Sequence, residues 1–108
     1  MLESVNAILT FLKGKRRASL DSSRMLSSAV FREFEILGEA AGQVSQKTRK
    51  MFPELPWSQL VGMRNRLIHA YFDVSHDIVW RTAKDHLPPL FVQIEQIIAE
   101  LENKLTDS

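Results

Sequence analysis

Apolar side chains recur every three or four residues along most of the chain, which is the period of an amphipathic helix. The first apolar stripe covers residues 2–12 and predicts a short helix that ends near Gly14. A longer stripe follows a candidate cap at Asp21 or Ser22 and predicts a helix that runs to about Lys50. No segment alternates with the period of two that a half-buried strand shows.

Two glycines lie one turn apart in the second predicted helix, at Gly38 and Gly42. This spacing would let the backbone of a neighbouring helix approach closely. Two prolines then favour an extended connector, and a third helix is predicted to begin at Pro56 or Trp57, because proline suits the first turn of a helix. The apolar pattern indicates that this third helix ends near residues 71–72.

A fourth apolar stripe covers residues 78–105, after a turn and cap at residues 73–77. Pro88 and Pro89 interrupt this stripe, and we expect them to kink or split the helix. The pattern therefore predicts an all-α fold, an antiparallel bundle of four to five helices within one domain that covers residues 1–108.

Composition narrows the kind of protein. With 108 residues, 44% apolar and 25% charged, the chain is typical of one globular domain. The absence of cysteine excludes disulfides, a thiolate nucleophile and a cysteine-based zinc site, and it fits a reducing cytoplasm. We expect neither a signal peptide nor a membrane-spanning segment. The net charge of +1 means that any nucleic-acid contact must come from a local cluster.

Three features allow both a structural and a functional interpretation. The basic run at residues 13–17 is either a solvated loop or an edge that faces phosphates. Trp57 and Trp80 are either core or interface anchors, or platforms on which bases stack. Arg66 is either a surface or salt-bridge residue, or a second phosphate ligand.

Candidate chemistry is concentrated in the run Arg64-Asn65-Arg66-Leu67-Ile68-His69-Ala70-Tyr71, which contains the only tyrosine. On a regular helix Arg64 and Tyr71 share one face, and Asn65 and His69 share another. Arg64 and His69 differ by about 140°, too far for a tight pair. They can act together around a common ligand, through distortion of the helix end, or across a dimer axis where a second copy completes the site.

These residue types suit phosphoryl transfer without a metal. Arginine clamps a phosphate and stabilises developing negative charge, and histidine moves protons near neutral pH. Asn65 would position the substrate, and Tyr71 could donate to a phosphate or stack on a base. The set would support RNA cleavage through a 2′,3′-cyclic phosphate. The three histidines lack the spacing of metal ligands, so we expect no metal and no other cofactor.

The same pattern has a purely structural interpretation, because short motifs match often by chance. In that interpretation Tyr71 packs at a helix end and His69 caps the helix. Arg64 then pairs with a carboxylate such as Glu39.

Four sequence blocks together carry a resemblance to a known family. In chain order these blocks are Ile36-Leu37-Gly38-Glu39-Ala40-Ala41, Phe52-Pro53-Glu54-Leu55-Pro56-Trp57, Gly62-Met63-Arg64-Asn65-Arg66-Leu67-Ile68-His69-Ala70-Tyr71-Phe72 and Ile78-Val79-Trp80. The chain resembles the HepT family of HEPN-domain proteins over residues 28–105. The family pattern of arginine, a polar residue, three further residues, histidine, any residue and tyrosine falls on Arg64, Asn65, His69 and Tyr71.

The resemblance implies a toxin of a two-gene toxin–antitoxin system. It implies a two-fold homodimer with both motifs in one cleft, acting as a metal-independent endoribonuclease on RNA. Arg64 and His69 would be catalytic, and Asn65 and Tyr71 would position the substrate. The partner would be an MNT-type nucleotidyltransferase antitoxin that attaches AMP to Tyr71 and could form a larger hetero-oligomer with the toxin. The added charge and bulk beside Arg64 should block entry of an RNA phosphate.

Two other hypotheses compete with the ribonuclease. The chain could be a non-catalytic binding module that only partners a nucleotidyltransferase, with the motif as docking or acceptor surface. It could also be a helical dimerisation scaffold in which the motif is structural. The scaffold hypothesis predicts that His69→Ala abolishes folding, whereas the ribonuclease hypothesis predicts that it abolishes only activity.

Overall fold

Helices account for nearly all of the described chain, residues 1–106, in this computed structural model. The α-helices are α1 (Leu2–Leu12), α2 (Arg17–Ser22), α3 (Arg24–Gln43), α4 (Gln46–Met51), α5 (Trp57–His69), α6 (His76–Arg81) and α7 (Leu87–Thr106). Residues 1–106 contain no strand, so the predicted all-α class is confirmed. Within the same residues, no helix is long and apolar enough to cross a membrane.

The first predicted helix ends as expected, but the start of the second differs from the prediction. After α1, Gly14 adopts a φ of +72° in the connecting turn, a conformation that glycine tolerates without strain. Asp21 and Ser22 belong to the short helix α2 and do not cap α3. The cap of α3 is Ser23, whose side chain accepts a hydrogen bond from the backbone N–H of Leu26 at 3.1 Å.

Helix α3 ends at Gln43, seven residues before the predicted Lys50. The reason is local capping, because Ser45 accepts a hydrogen bond from the N–H of Thr48 and begins α4. Arg49 then folds back and donates to three carbonyls at the end of α3. These carbonyls belong to Ala41, Gly42 and Val44, at 2.9, 3.0 and 3.1 Å. The apolar stripe itself ends at Val44, and residues 45–50 are all polar, so periodicity alone could not place the end of the helix.

Helix α5 begins at Trp57 after Pro56, as predicted, but it ends at His69 rather than near residues 71–72. Ala70 leaves the helical conformation, and a single 3₁₀ turn follows over Tyr71–Asp73. The motif therefore continues beyond the end of the helix. Ser75, within the predicted cap region 73–77, caps α6 by accepting from the N–H of Ile78.

We expected Pro88 and Pro89 to kink or split the last helix, and they do not split it. Helices α6 and α7 are joined by a wider π-helical turn, Thr82–His86, immediately before the prolines. There the N–H of Leu87 bonds to the carbonyl of Thr82, five residues back. Proline cannot donate to a carbonyl four residues back and its ring clashes with it. The wider turn places the distortion upstream of the prolines and lets the helix continue.

The bundle core is one cluster of buried apolar residues drawn from all four longer helices. Helix α3 packs against both α1 and α5, and α1 also packs against α7. Contacts of α5 and of the turn that follows it show that this helix runs antiparallel to α3. Arg64 lies beside Gly38 and Glu39, whereas Tyr71, seven residues later, lies beside Ser28. The predicted antiparallel arrangement therefore holds for this pair.

The two glycines of α3 differ in their surroundings. A Cβ atom on Gly38 would lie 2.3 Å from the Cβ of Arg64 and 2.5 Å from the carbonyl oxygen of Leu60. Real Cβ atoms essentially never approach so closely. A Cβ on Gly42 would meet only Val61, at an ordinary 3.8 Å. Close helix approach is therefore confirmed at Gly38 and is not required at Gly42.

Candidate functional site

The guanidinium group of Arg64 is held by two neighbours. Its Nη2 lies 3.1 Å from Glu39 Oε2, and its Nη1 donates to Asn65 Oδ1 at 3.0 Å. The Nε atom is buried and has no hydrogen-bond partner within residues 1–106. The side chain keeps 31% of its surface exposed. The pairing of Arg64 with Glu39, expected in the structural interpretation, is confirmed.

Gly38 explains how Arg64 reaches this position. The stem of the arginine passes directly over the glycine, where any side chain on α3 would collide with it. Glu39, the next residue, then meets the guanidinium group. The block Gly38-Glu39 thus supplies both the space and the counter-charge for Arg64.

Asn65 and His69 lie one turn apart on α5, and both are exposed. His69 is the last residue of the helix, as predicted. The structure gives no hydrogen bond between Arg64 and His69 within the described chain, which agrees with their angular separation on a regular helix. One copy of the chain therefore presents the two groups without pairing them.

Tyr71 does not share a helical face with Arg64, because α5 ends before it. The tyrosine lies on the 3₁₀ turn and packs against α3. Its hydroxyl is 3.4 Å from Ser28 Oγ, and its ring meets the buried Phe31 edge to face, with centroids 5.5 Å apart. These contacts fix the ring while 38% of the residue surface stays exposed.

Arg64 and Tyr71 are nevertheless aligned along one face of α3. Their partners Glu39 and Ser28 are eleven residues apart on α3. Eleven residues of an α-helix rotate by about 20° more than three full turns and rise by about 16 Å, so the two partners lie on nearly the same face. Arg32 and Glu35 lie on the same face between them and form an ion pair with each other at 3.1 Å. The exposed groups of the motif therefore border a surface of mixed charge on α3.

A second polar cluster also contacts Phe31. His76 meets the Phe31 ring edge to face at 5.5 Å and lies 2.7 Å from Asp21 Oδ1. Asp21 also binds Arg17, which in turn binds Asp77. The hydrogen bonds from His76 and Arg17 lower the pKa of Asp21, and those to Asp77 and Asp21 raise the pKa of Arg17. The cluster ties α2 to α6.

Among the features with two interpretations, the tryptophans take the structural one, whereas the exposed part of the basic run is compatible with both. Trp57 and Trp80 both pack against the core, and Trp57 Nε1 donates to the carbonyl of Phe52 at 2.9 Å. Of the basic run, residues 13–16 are exposed, and Arg17 is the member engaged by Asp21 and Asp77.

Arg66 points away from the motif surface, as its helical position predicted. It is exposed and forms no ion pair within residues 1–106. It lines a separate pocket of about 440 Å³ between α5 and the α6–α7 helix, together with His86 and apolar residues such as Met63. The described residues include no group of three or more histidine, aspartate or glutamate side chains placed to hold a metal ion.

Sequence reasoning missed Ser28, Phe31 and Phe72. Phe72 follows Tyr71, has 95% of its surface exposed and meets the Tyr71 ring at 5.5 Å and 83°. Ser28 and Phe31 lie 43 and 40 residues before Tyr71 in the chain, so no local pattern connects them. The one feature of the sequence that could have indicated them is their position on the same helix as Glu39, the predicted partner of Arg64.

Comparisons with known proteins agree with this architecture. The family model described as ribonuclease HepT-like matches residues 1–97. "Putative RNase MJ1216" of Methanocaldococcus jannaschii is 35% identical over 104 residues, which cover 96% of this chain and 86% of that protein. "Putative RNase TTE0752" of Caldanaerobacter subterraneus subsp. tengcongensis is 31% identical, with coverage of 91% and 88%.

A further relative, "Probable ribonuclease HepT" of Thermococcus cleftensis, is 39% identical over 69 residues, which cover 64% of this chain and 63% of that protein. No solved structure matches the chain significantly. The family match extends over most of the chain and includes the whole motif. The chain therefore belongs to the HepT-like ribonuclease family of the HEPN superfamily.

Proposed function

We propose that this protein is the toxin of a toxin–antitoxin system, a metal-independent endoribonuclease that acts in the cytoplasm as one domain. The observation that carries the proposal is the family match over residues 1–97, which includes a motif whose side chains reach solvent. The motif supplies a phosphate ligand in Arg64 and a polar anchor in Asn65. It also supplies a proton carrier in His69 and a phenol in Tyr71. The names of the relatives, which refer to ribonucleases, support the same class of reaction.

In the proposed reaction the ribose 2′-hydroxyl attacks the adjacent phosphorus, and the bond to the 5′-oxygen breaks. The products are a 2′,3′-cyclic phosphate and a free 5′-hydroxyl. His69 takes the proton from the 2′-hydroxyl or gives one to the leaving oxygen. Arg64 binds the non-bridging phosphate oxygens as negative charge develops. A phosphate that enters replaces the Glu39 carboxylate on the arginine, so one anion is exchanged for another.

Because Arg64 and His69 of one chain are not paired, we propose that a two-fold homodimer forms the complete site. Two copies of His69 would then face one cleft, one as base and one as acid. Asn65, already bonded to Arg64, would orient the guanidinium and the substrate together.

The regulatory part of the proposal concerns Tyr71. An MNT-type nucleotidyltransferase would join AMP to this residue. The phenol oxygen attacks the α-phosphorus of ATP, pyrophosphate leaves, and the phenol proton passes to a base. Tyr71 is partly exposed, so its oxygen can be reached from solvent. The attached phosphate adds negative charge on the surface that Arg64 borders and would repel RNA.

Cleavage of RNA by purified variants tests the catalytic part. We expect His69→Ala to lower the rate about 100- to 10,000-fold, the usual contribution of a general acid or base. Arg64→Ala should lower it about 100- to 1,000-fold. Arg66→Ala is the matched control. It removes the same positive charge two residues after Arg64, but from a side chain that lies outside the motif surface. Sedimentation should show the same oligomer for all variants, and full cleavage by both motif variants would refute the assignment.

Intact mass after co-expression with the neighbouring nucleotidyltransferase tests the switch. We expect wild-type protein to gain one or more AMP masses and Tyr71→Phe to gain none. Since Tyr71 is the only tyrosine, this single variant covers every possible tyrosine acceptor. An AMP adduct on Tyr71→Phe would show that the acceptor is another residue.

The contact between Arg64 and Glu39 favours a second candidate function, a non-catalytic module that binds a nucleotidyltransferase. In that case the arginine serves to lock α5 onto α3, and Tyr71 is an acceptor or docking residue. Purified protein that never cleaves RNA, yet binds the nucleotidyltransferase in a Tyr71-dependent manner, would support this alternative.

A further inference from the structure

Phe72 is the most exposed of the large apolar side chains in the described chain, at 95%. Single apolar residues are common on protein surfaces, so exposure alone says little. Its position says more, because it lies on the 3₁₀ turn three residues after His69. Consecutive Cα atoms are 3.8 Å apart, so its Cα lies within about 11 Å of that of His69.

The Phe72 ring contacts the Tyr71 ring, which itself packs against the core. It meets Tyr71 nearly at a right angle, 83° with centroids 5.5 Å apart. Tyr71 in turn meets the buried Phe31 at 80° and 5.5 Å, and Ser28 lies beside the tyrosine hydroxyl. The support therefore runs from the core through Tyr71 to Phe72. A ring that meets one supported neighbour and stays almost fully solvated keeps a π face open for stacking.

We propose that Phe72 is a base-stacking residue for single-stranded RNA, contacting a base of the same strand whose phosphate Arg64 binds. The inference rests on the proposed function. Stacking on an aromatic ring is tolerant of sequence, since every base has a π face, and is typical of single-strand binding. Arg64 would bind the RNA backbone through its charge, and the Phe72 ring would stack on the face of a base.

The test uses binding rather than cleavage, with His69→Ala as background so that the RNA stays intact. The probe is a short single-stranded oligoribonucleotide that carries 2-aminopurine, whose fluorescence falls on stacking. Phe72→Ala and Phe72→Leu should each weaken binding about 5- to 150-fold and abolish the fluorescence change. Phe72→Trp should bind as tightly as phenylalanine or more tightly. Val92→Ala, an exposed apolar truncation on α7, should change nothing.

Salt dependence separates stacking from charge. Phe72→Ala should leave the slope of log affinity against log salt unchanged, whereas Arg64→Ala should reduce it by about 0.7 for a single strand. Because Phe72 is exposed, thermal unfolding of its variants should match wild type.

A subunit contact would behave differently, since leucine keeps the apolar surface and loses only the π face. Wild-type affinity in Phe72→Leu would overturn the stacking proposal, as would loss of RNA binding together with loss of the oligomer in sedimentation. If wild type binds RNA with Phe72-dependent quenching yet never cleaves it, the proposed catalysis fails and the stacking stands. If wild type does not bind RNA at all, both fail.

Discussion

Replacing Gly38 with alanine would add one methyl group where α5 leaves no room for it. The new Cβ would lie 2.3 Å from Arg64 Cβ and 2.5 Å from the carbonyl oxygen of Leu60. Because one of these atoms is backbone, rotation of a side chain cannot relieve the clash. Restoring normal contact requires α5 to move away from α3 by about 1 Å.

The energetic effect combines two opposing contributions. Overpacking a core position costs about 1–3 kcal/mol, and a backbone clash belongs at the upper end. Alanine gains about 1 kcal/mol over glycine in a helix interior. We therefore expect Gly38→Ala to lower the free energy of unfolding by about 2 kcal/mol, which corresponds to a Tm decrease of roughly 8–16 °C for a domain of this size.

Gly42→Ala is the matched control, one turn further along the same helix. Its Cβ would meet only Val61 Cγ2 at 3.8 Å, so it should be neutral or stabilise by up to about 1 kcal/mol. Urea unfolding followed by circular dichroism measures both variants. RNA cleavage by Gly38→Ala, below its unfolding transition, should also fall because Arg64 is displaced. Equal stability of the two variants would refute the tight contact between α3 and α5.

Three further substitutions test other contacts. The lowered pKa of Asp21 means that its ion pairs stabilise the fold above the ordinary aspartate pKa near 4 and are lost as the pH falls through the lower folded value. The stability advantage of wild type over Asp21→Asn in urea unfolding should therefore shrink below about pH 4, and a constant difference would contradict the pairing. Arg49→Lys should destabilise by about 1–3 kcal/mol, because a lysine cannot serve three carbonyls in fixed geometry; a melt unchanged from wild type would argue against that cap. Glu39→Gln should raise RNA affinity about 2- to 5-fold in a binding titration, since it removes an exposed competitor for Arg64 worth up to about 1 kcal/mol, and weaker binding would show that Glu39 orients the arginine for substrate.

The sequence was most informative about features that depend on residues close together in the chain. Apolar periodicity predicted the positions of α1, α5 and the α6–α7 helix, and proline chemistry predicted the start at Trp57. It failed at the end of α3, because residues 45–50 are all polar and carry no apolar period. Ser45 begins a new helix there through capping, and Arg49 bonds to carbonyls five to eight residues earlier in the chain.

The candidate site was predictable in its residues and only partly in its geometry. The pairing of Arg64 with a carboxylate such as Glu39 could be proposed from the residue types, in the structural interpretation of the motif. The position of Tyr71 could not, because the chain leaves the helix at Ala70 and the tyrosine packs against residues 43 and 40 positions earlier in the chain. Contacts of that kind depend on how α3 and α5 pack together. Gly38 permits their close approach, and helical periodicity carries no information about it.

The π-helical turn at Thr82–His86 has a consequence for tolerance to insertions and deletions. The buried residues Val79, Ala83 and Leu87 follow one another at intervals of four, which drifts off one face in a regular α-helix. The wider turn keeps them on one face. Deleting one residue here would restore regular hydrogen bonding at the expense of the core, because α7 would rotate by about 100° relative to α6. We expect this segment to accept substitutions at its exposed positions but no change in length.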